Sequence, residues 1–216
     1  MHSYRSFYND SRNEEYPGSW NKEEFEKIQS FSGKLRYANE RLQKLASGSG
    51  RAVFKIDEQK VLKVAKNKKG LAQNAVEAEP FLQSYDAVAK TFDSDDRYVQ
   101  EIGPFWVEME LAKKVGKSRF KQLTGVPIEM AHGYFVEYMG RGQQWPKISP
   151  EDAEKLHDNQ FIVDMMSLIG DYDMSIGDLG RVSTYGEVTR DGEQKIVLVD
   201  FGLTNQVYND YYKVRM

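Results

Sequence analysis

The chain has 216 residues, 40% of them hydrophobic and 29% charged, which allows one compact globular domain or two small lobes around a cleft. Its formal net charge of −3 indicates no overall basic field, so the composition does not favour binding to nucleic acid or to an anionic membrane. Because the sequence has no cysteine, disulfides, zinc–thiolate sites and cysteine nucleophiles are excluded.

The N-terminal part predicts an arm, helices and then strands. Residues 1 to about 20 show no period and predict a loose arm. The segment 21–46 has apolar spacings typical of one broken helix or two short amphipathic helices. Ser-Gly-Ser-Gly at 47–50 ends that pattern, and residues 51–67 predict two strands around a polar turn.

The rest of the chain alternates between helical and β-rich patterns. Residues 70–89 predict a helix that Pro80 shortens, followed by a strand-like stretch, a Gly-Pro turn at 103–104 and a β-rich run at 105–109. Ser149 and Pro150 predict the start of a helix, and a second apolar helix is expected at about 159–169. Two β-rich runs around an Asp-Gly pair at 191–192 predict a hairpin.

A glycine-bearing loop precedes the first predicted strand. Gly48, Ser49 and Gly50 are small residues, and glycine lets backbone amides approach phosphate oxygens closely. A flexible connector has the same composition. The loop therefore indicates a phosphate site only together with other features.

A lysine and a glutamate follow this loop. Lys63 stands alone in the apolar stretch VLKVA, where it either extends to the surface or meets an anion, since burying it unpaired is costly. Glu77 and Glu79 lie on the next predicted helix, and a carboxylate there can pair with the ammonium. The preceding Gln-Asn pair favours Glu77. A solvated helix face is the alternative reading of both glutamates.

Two acids stand late in the chain. Asp178 follows a predicted helix, and Asp200 directly follows the second strand of the hairpin, before Phe201 and Gly202. Two acids at the mouth of a cleft can bind magnesium and orient a hydroxyl nucleophile. Ordinary turn and strand-end acids are the alternative. The histidines, by contrast, are scattered, and this argues against a histidine-based metal site.

Taken in order, the glycine loop, strand lysine, helix glutamate, loop aspartate, hairpin and Asp-Phe-Gly resemble the protein-kinase-like fold from about Leu45 to Leu203. The stretches LKVA and QN..E resemble the short kinase-like proteins that bacteriophages encode. The resemblance implies an α+β, two-lobed fold with a small β-rich N-lobe and a truncated helical C-lobe, preceded by an N-terminal helical extension. The expected divisions are 1–45, 46–112 and 113–216.

The resemblance also implies a nucleotide site for ATP. Lys63 would contact the α- and β-phosphates and pair with Glu77, and the segment 108–112 would be a hinge that offers backbone groups to adenine. The residues implied for nucleotide binding are Gly48, Ser49, Gly50, Lys63, Glu77, Glu110 and Ala112.

The implied chemistry is phosphoryl transfer with magnesium. Asp200 would hold the metal, and Ser183 or Thr184 would take the place of the family's metal-binding asparagine as a weaker oxygen ligand. Asp178 would be the catalytic base, so the implied catalytic set is Asp178, Lys63 and Asp200.

The sequence also departs from the family. Arg51 or a neighbouring residue stands where the family has a third glycine, and Ile176 and Gly177 replace the His-Arg that precede the catalytic aspartate. Arg181 is the nearest candidate for the missing catalytic-loop lysine. After Gly202 the sequence has no Ala-Pro-Glu, and we expect no helices there to build a peptide-docking platform.

Three functions remain open at the level of sequence. The first is an ATP- and magnesium-dependent phosphotransferase that acts on a protein or small-molecule hydroxyl. The second is a pseudokinase-like nucleotide-binding or scaffold module, with a partner that completes the short C-lobe. The third is an unrelated α+β interaction protein, which the 13 tyrosines keep open.

The expected location is the cytoplasm, or the host cytoplasm if a phage encodes the protein. No apolar run approaches the roughly 20 residues of a membrane span, and the N-terminus lacks a signal-peptide core. The short lysine clusters are typical of solvated faces, so neither nucleic acid nor membrane is an expected partner.

Overall fold

The computed structural model describes residues 19–139 and 148–213, so nearly all of the predicted N-terminal arm lies outside the described residues. The architecture is mixed α+β: a β-sheet lobe is preceded by a short helical extension and followed by a mostly helical part. This confirms the predicted fold class. The helices are α1 (Lys22–Lys27), α2 (Phe31–Arg41), α3 (Lys68–Glu77), α4 (Lys117–Thr124), α5 (Ile128–Met139), α6 (Pro150–Leu156), α7 (Gln160–Tyr172) and α8 (Asn205–Tyr211).

The strands form a large and two smaller antiparallel sheets in the described residues. They are β1 (Gln43–Ser47), β2 (Arg51–Lys55), β3 (Lys60–Ala65), β4 (Thr91–Ser94), β5 (Tyr98–Val99), β6 (Gly103–Pro104), β7 (Trp106–Glu110), β8 (Lys113–Lys114), β9 (Tyr185–Arg190) and β10 (Glu193–Leu198). The five-stranded sheet has the order β1-β2-β3-β7-β4, and a three-stranded sheet has the order β10-β9-β8. Strands β5 and β6 pair with each other.

The N-terminal extension consists of two short helices, as one of the two sequence alternatives predicted. Asn21 and Ser30 cap them by accepting backbone N–H groups of the first turn. Trp20, which the sequence assigned to the loose arm, is buried against Phe25 with ring centroids 5.0 Å apart. The helical pattern was expected to run to residue 46, but α2 ends at Arg41 because the following residues pair with β2 instead. Pairing between strands thus outweighs local periodicity here.

The predicted pair of strands around residues 57–59 is confirmed as β2 and β3. Asp57 accepts the N–H groups of Gln59 and Lys60 in the connecting turn, at 2.6 and 2.8 Å. In β3, Lys63 lies opposite Val53 on one side and Val107 of β7 on the other. Lys63 is therefore in the central strand of the five-stranded sheet.

Helix α3 follows β3 almost directly. Asn67 caps the helix at its N-terminus, and the helix ends at Glu77. Pro80 begins a 3₁₀ helix three residues later, which agrees with the prediction that this proline shortens the helix. The predicted Gly-Pro turn is wrong. Gly103 and Pro104 form β6, and the turn lies just before them, where Gln100 and Glu101 have positive φ angles of 53° and 60°.

The helical part surrounds the main hydrophobic core. This core joins apolar side chains of α4, α5, α6 and α7 to Val107, Met109 and the buried hairpin residues Ile196, Val197 and Leu198. Ser149 caps α6 and Pro150 is its first residue, as predicted. The hairpin of β9 and β10 is also confirmed, with positive φ angles at both residues of its Asp-Gly turn.

The expectation that no helix follows Gly202 is wrong. Thr204 caps α8 by accepting the N–H of Val207, and α8 packs against α3. The Lys69 ammonium lies 4.5 Å from the ring centroid of Tyr212 at the end of α8. Within residues 19–139 and 148–213, none of the helices is both long enough and apolar enough to cross a membrane.

Candidate functional site

Glu77 is the centre of a buried network of charges. Its carboxylate is fully buried at the last residue of α3 and faces the sheet. Oε1 accepts hydrogen bonds from Lys63 Nζ at 2.9 Å and Arg51 Nη2 at 3.0 Å, and Oε2 from Lys63 Nζ at 2.8 Å and Arg51 Nη1 at 2.5 Å. Two cations therefore share one carboxylate. Glu79, the alternative candidate, is exposed beyond the end of α3.

Lys63 is held in place from two directions. Besides its contacts with Glu77, its ammonium donates to the carbonyl of Val199 at 2.6 Å, and it lies 5.9 Å from the ring centroid of Phe201. Burial lowers the pKa of Lys63, Glu77 opposes this effect, and Arg51 adds to it, so the net pKa is below that of a free lysine. The sequence left open that the Lys63 ammonium extends to the surface. In the structure it is instead buried between these partners.

Arg51 links the two acids of the site. Its guanidinium is only 7% exposed, and Nη2 contacts both Glu77 Oε1 and Asp200 Oδ1, the latter at 2.5 Å. Burial would lower the pKa of Arg51, but the charges of Glu77 and then Asp200 outweigh burial and raise it. Arg51 is therefore a permanent, buried positive charge between the two acids.

The Asp-Phe-Gly segment is attached to α3 by its backbone. The N–H groups of Phe201 and Gly202 donate to Glu77 Oε1 at 3.3 and 3.2 Å. A Cβ on Gly202 would lie 2.6 Å from the carbonyl oxygen of Gln73, so only glycine allows this close approach. The side chain of Phe201 is fully buried, whereas that of Asp200 is 59% exposed and directed towards solvent and Arg51.

The charge of Asp200 is maintained by its neighbours. Desolvation would raise the pKa of Asp200, but Arg51 and, more weakly, Lys63 lower it, and the net pKa is below the usual range. An ionised carboxylate with an exposed side chain is able to bind a further cation or a water molecule.

The glycine loop forms the turn between β1 and β2. The carbonyl of Gly48 accepts a hydrogen bond from Lys66 Nζ at 2.7 Å, and that of Ser49 accepts one from Asn67 Nδ2 at 2.9 Å. Gly50 accepts the N–H of Lys66 at 2.7 Å and lies against the first turn of α3. All three carbonyls are thus fixed by the residues that connect β3 to α3.

The predicted hinge is tied to its neighbours. The N–H of Glu110 donates to the carbonyl of Lys90 at 2.8 Å, and the N–H of Leu111 donates to the carbonyl of Gln59 at 2.7 Å. The Glu110 carboxylate binds Arg190 at 2.5 Å. Ala112 lies beside the hairpin: a Cβ added to Gly186 would lie 2.5 Å from the Cβ of Ala112. Two backbone donors of this segment are therefore already used within the protein.

Asp178 lies in a 3₁₀ turn beside the Asp-Phe-Gly segment, outside the ion-pair network described above. Its carboxylate contacts Arg181 at 3.2 Å and is 43% exposed. Its carbonyl accepts the hydroxyl of Thr184 at 2.8 Å, and the carbonyl of Thr184 accepts the N–H of Val199 at 2.9 Å. This chain of bonds places the Asp178 turn next to the residue that precedes Asp200.

The candidate metal ligands differ in availability. The hydroxyl of Thr184 is buried and engaged, whereas Ser183 is exposed at the same end of the hairpin as Asp200. In residues 19–139 and 148–213 no three acidic or histidine side chains form a ready-made metal cluster. One carboxylate and one hydroxyl still suit Mg²⁺, which commonly takes one or two protein carboxylates and completes its shell with phosphates and water.

Sequence reasoning treated Arg51 only as a departure from a glycine and missed its contacts. The signal was the strand register. A turn centred on residue 58 pairs Arg51 with Ala65 and Val53 with Lys63, so Arg51 and Lys63 share one face of the sheet. The roles assigned to these residues stay predictions.

Comparisons with known proteins give distant similarities. No protein-family model and no curated protein matches the sequence. Among solved structures, the chain is similar to SAICAR synthase from Saccharomyces cerevisiae in complex with SAICAR, with 15% identity, a TM-score of 0.36 and coverage of 74% of this chain and 73% of that one. It is also similar to a ternary complex of streptomycin, ATP and APH(2″)-IIa, with 14% identity, a TM-score of 0.32 and coverage of 81% and 71%.

A third similar structure is the GDP complex of an aminoglycoside 2′-phosphotransferase IIIa mutant, with 14% identity, a TM-score of 0.31 and coverage of 61% of this chain and 45% of that one. At these identities and TM-scores, the similarities assign neither a family nor an activity to this chain.

Proposed function

We propose that this protein binds a nucleoside triphosphate between its β-sheet lobe and its helical part, and transfers the terminal phosphoryl group to a hydroxyl. The observation that carries the proposal is the convergence of Lys63 and Arg51 on Glu77, with Asp200 bound to the same Arg51 guanidinium. A buried carboxylate that holds two cations beside an exposed, ionised acid is suited to orient a polyphosphate.

In this proposal Lys63 neutralises phosphate charge, and Glu77 fixes the position of its ammonium. Asp200 and Ser183 would hold Mg²⁺, which would offset charge on the phosphates when bound. The loop Gly48–Gly50 would cover the phosphates, and Glu110 and Ala112 would lie near the base.

The transfer step assigns the base role to Asp178. Its carboxylate would accept the proton of the substrate hydroxyl while the hydroxyl oxygen attacks the γ-phosphorus and the bond from that phosphorus to the β–γ bridging oxygen breaks. Arg181, whose Nη1 lies 3.2 Å from Asp178 Oδ1, would hold the carboxylate in position. The substrate is a hydroxyl of a protein or of a small molecule.

A nucleotide-binding module without phosphoryl transfer is the second candidate. It is favoured by one observation: in the described structure both acids are paired with arginines, Asp178 with Arg181 and Asp200 with Arg51. If these pairs persist when nucleotide is bound, neither acid is free for chemistry.

The experiment combines a binding and a transfer measurement. Magnesium and ATP are expected to raise the melting temperature of the wild type, and labelled phosphate from [γ-³²P]ATP is expected to reach the protein or a component of a lysate. Asp178→Asn is expected to keep ATP binding and to lower transfer by about 100-fold or more. Asp191→Asn, in the hairpin turn, is the matched control and should retain both.

Three outcomes are distinguishable. Loss of transfer with retained binding in Asp178→Asn alone supports the phosphotransferase. Binding without transfer in the wild type supports the second candidate. No binding of ATP at any magnesium concentration refutes both.

A further inference from the structure

Arg51 belongs to the charge network around Glu77, but the roles proposed above assign it no contact with nucleotide or metal. It is buried, it starts β2 directly after Gly50, and it joins Glu77 to Asp200. We propose that Arg51 is a resident cation of the phosphate site: it competes with divalent metal for Asp200, and it contacts the phosphates itself when metal is absent. This inference rests on the proposed nucleotide binding.

The competition follows from the balance of charge. Arg51 and Lys63 carry two positive charges, and Glu77 and Asp200 carry two negative charges, so the cluster is neutral as it stands. Nη2 of Arg51 lies 2.5 Å from Asp200 Oδ1. A divalent ion on that oxygen would stand directly beside the guanidinium, and like charges at such a distance repel each other. Metal and guanidinium therefore exclude each other from Oδ1.

The geometry also explains how Arg51 would reach a phosphate. Glu77 holds both Nη1 and Nη2, so the guanidinium stays near the sheet even when Asp200 releases it. The planar fork of arginine matches the spacing of phosphate oxygens, unlike a lysine ammonium. A phosphate that replaces Asp200 at Nη2 would meet the guanidinium and stay close to Lys63, which shares Glu77.

Removal of Arg51 leaves the rest of the network connected. Glu77 keeps the ammonium of Lys63 and the N–H groups of Phe201 and Gly202. Arg51→Met is therefore expected to fold, and Arg51→Lys keeps the charge without the fork. Arg119→Met is the matched control, because Arg119 forms a bidentate pair with Glu187, at 2.8 Å for both bonds, on the three-stranded sheet.

The first arm measures ATP affinity by titration in excess EDTA and in excess Mg²⁺. The wild type is expected to bind ATP in both. Arg51→Met should lose about tenfold to a hundredfold in affinity in EDTA, the value of a charge-assisted hydrogen bond, and much less in Mg²⁺. Arg51→Lys should lie between the two, and Arg119→Met should match the wild type.

The second arm titrates Mn²⁺ without nucleotide, followed by electron paramagnetic resonance. Arg51→Met is expected to bind Mn²⁺ about tenfold or more tightly than the wild type, because Asp200 is released from its charge-assisted bond. If Arg51→Met equals the wild type in both arms, the proposal is refuted while nucleotide binding stands. If the wild type binds no ATP in either condition, the proposed function fails, and the Mn²⁺ titration still decides whether Arg51 competes with metal.

Discussion

Substitution of Glu77 by glutamine tests the network at its centre. Glutamine keeps the size of the side chain but removes its charge. Its NH₂ group is a donor and would face other donors at a position where a carboxylate oxygen accepts hydrogen bonds. Lys63 and Arg51 would both lose their shared counter-ion, although Arg51 keeps Asp200 and Lys63 keeps the carbonyl of Val199. The backbone N–H groups of Phe201 and Gly202 would compete for the one remaining acceptor oxygen.

Removing one partner of a buried ion pair typically costs about 3–5 kcal/mol, because the other charge stays buried without compensation. We expect Glu77→Gln to lower the free energy of unfolding by this amount. For a chain of this length that corresponds to a fall in melting temperature of about 6–20 °C. Chemical unfolding in urea, followed by circular dichroism, measures it directly.

Glu79→Gln is the matched control, since Glu79 is two residues away and exposed. Its effect is expected to stay within about 0.5 kcal/mol. Lys63→Met should cost less than Glu77→Gln, because Glu77 would keep Arg51 as a counter-ion. If the Glu77 and Glu79 variants unfold at the same urea concentration, Glu77 does not form the buried ion-pair network in solution. The proposed site would then lose the observation on which it depends.

Two further predictions concern a buried lysine and the glycine loop. Lys34 is fully buried, and burial lowers its pKa from 10.5 to about 8, so the unfolded chain binds its proton more tightly than the folded one between these values. The stability of Lys34→Met relative to the wild type should therefore fall, by up to about 3 kcal/mol, as the pH rises from 8 to 10.5. A difference in urea unfolding that stays constant over this range would contradict this. A Cβ on Gly70 would lie 2.2 Å from the carbonyl oxygen of Gly50, whereas a Cβ on Gly48 would meet nothing within 4 Å. Gly70→Ala is expected to lower the free energy of unfolding by about 1–3 kcal/mol and to displace the loop, whereas Gly48→Ala is expected to lower it by less than about 0.5 kcal/mol. Equal unfolding midpoints for the two variants would count against this packing.

Several elements could be predicted from the sequence because their causes are local. Pro80 cannot continue a helix, Ser149 and Pro150 favour a helix start, and Asp191 and Gly192 adopt the positive φ angles of a tight hairpin turn. These constraints act within a few residues, so they can be predicted from the identities of adjacent residues.

Elements that depend on distant partners were misjudged or missed. Leu45 has a spacing that suits a helix, but it lies in β1 because the chain pairs with β2 there. Gly103 and Pro104 look like a turn and instead form a strand with β5. Helix α8 was missed because its packing surface is α3, more than 120 residues earlier in the sequence. Local propensity is a weak guide where such contacts decide the conformation.

The candidate site divides in the same way. The sequence alone determined that Lys63 stands by itself in an apolar strand and that an acid ends the late hairpin, because residue type and period are visible in one stretch of chain. Only the tertiary structure decided that Glu77 rather than Glu79 meets Lys63, and that Arg51 spans Glu77 and Asp200. Those contacts join residues 14 to 149 positions apart, and their distances depend on how the sheet, α3 and the hairpin pack together.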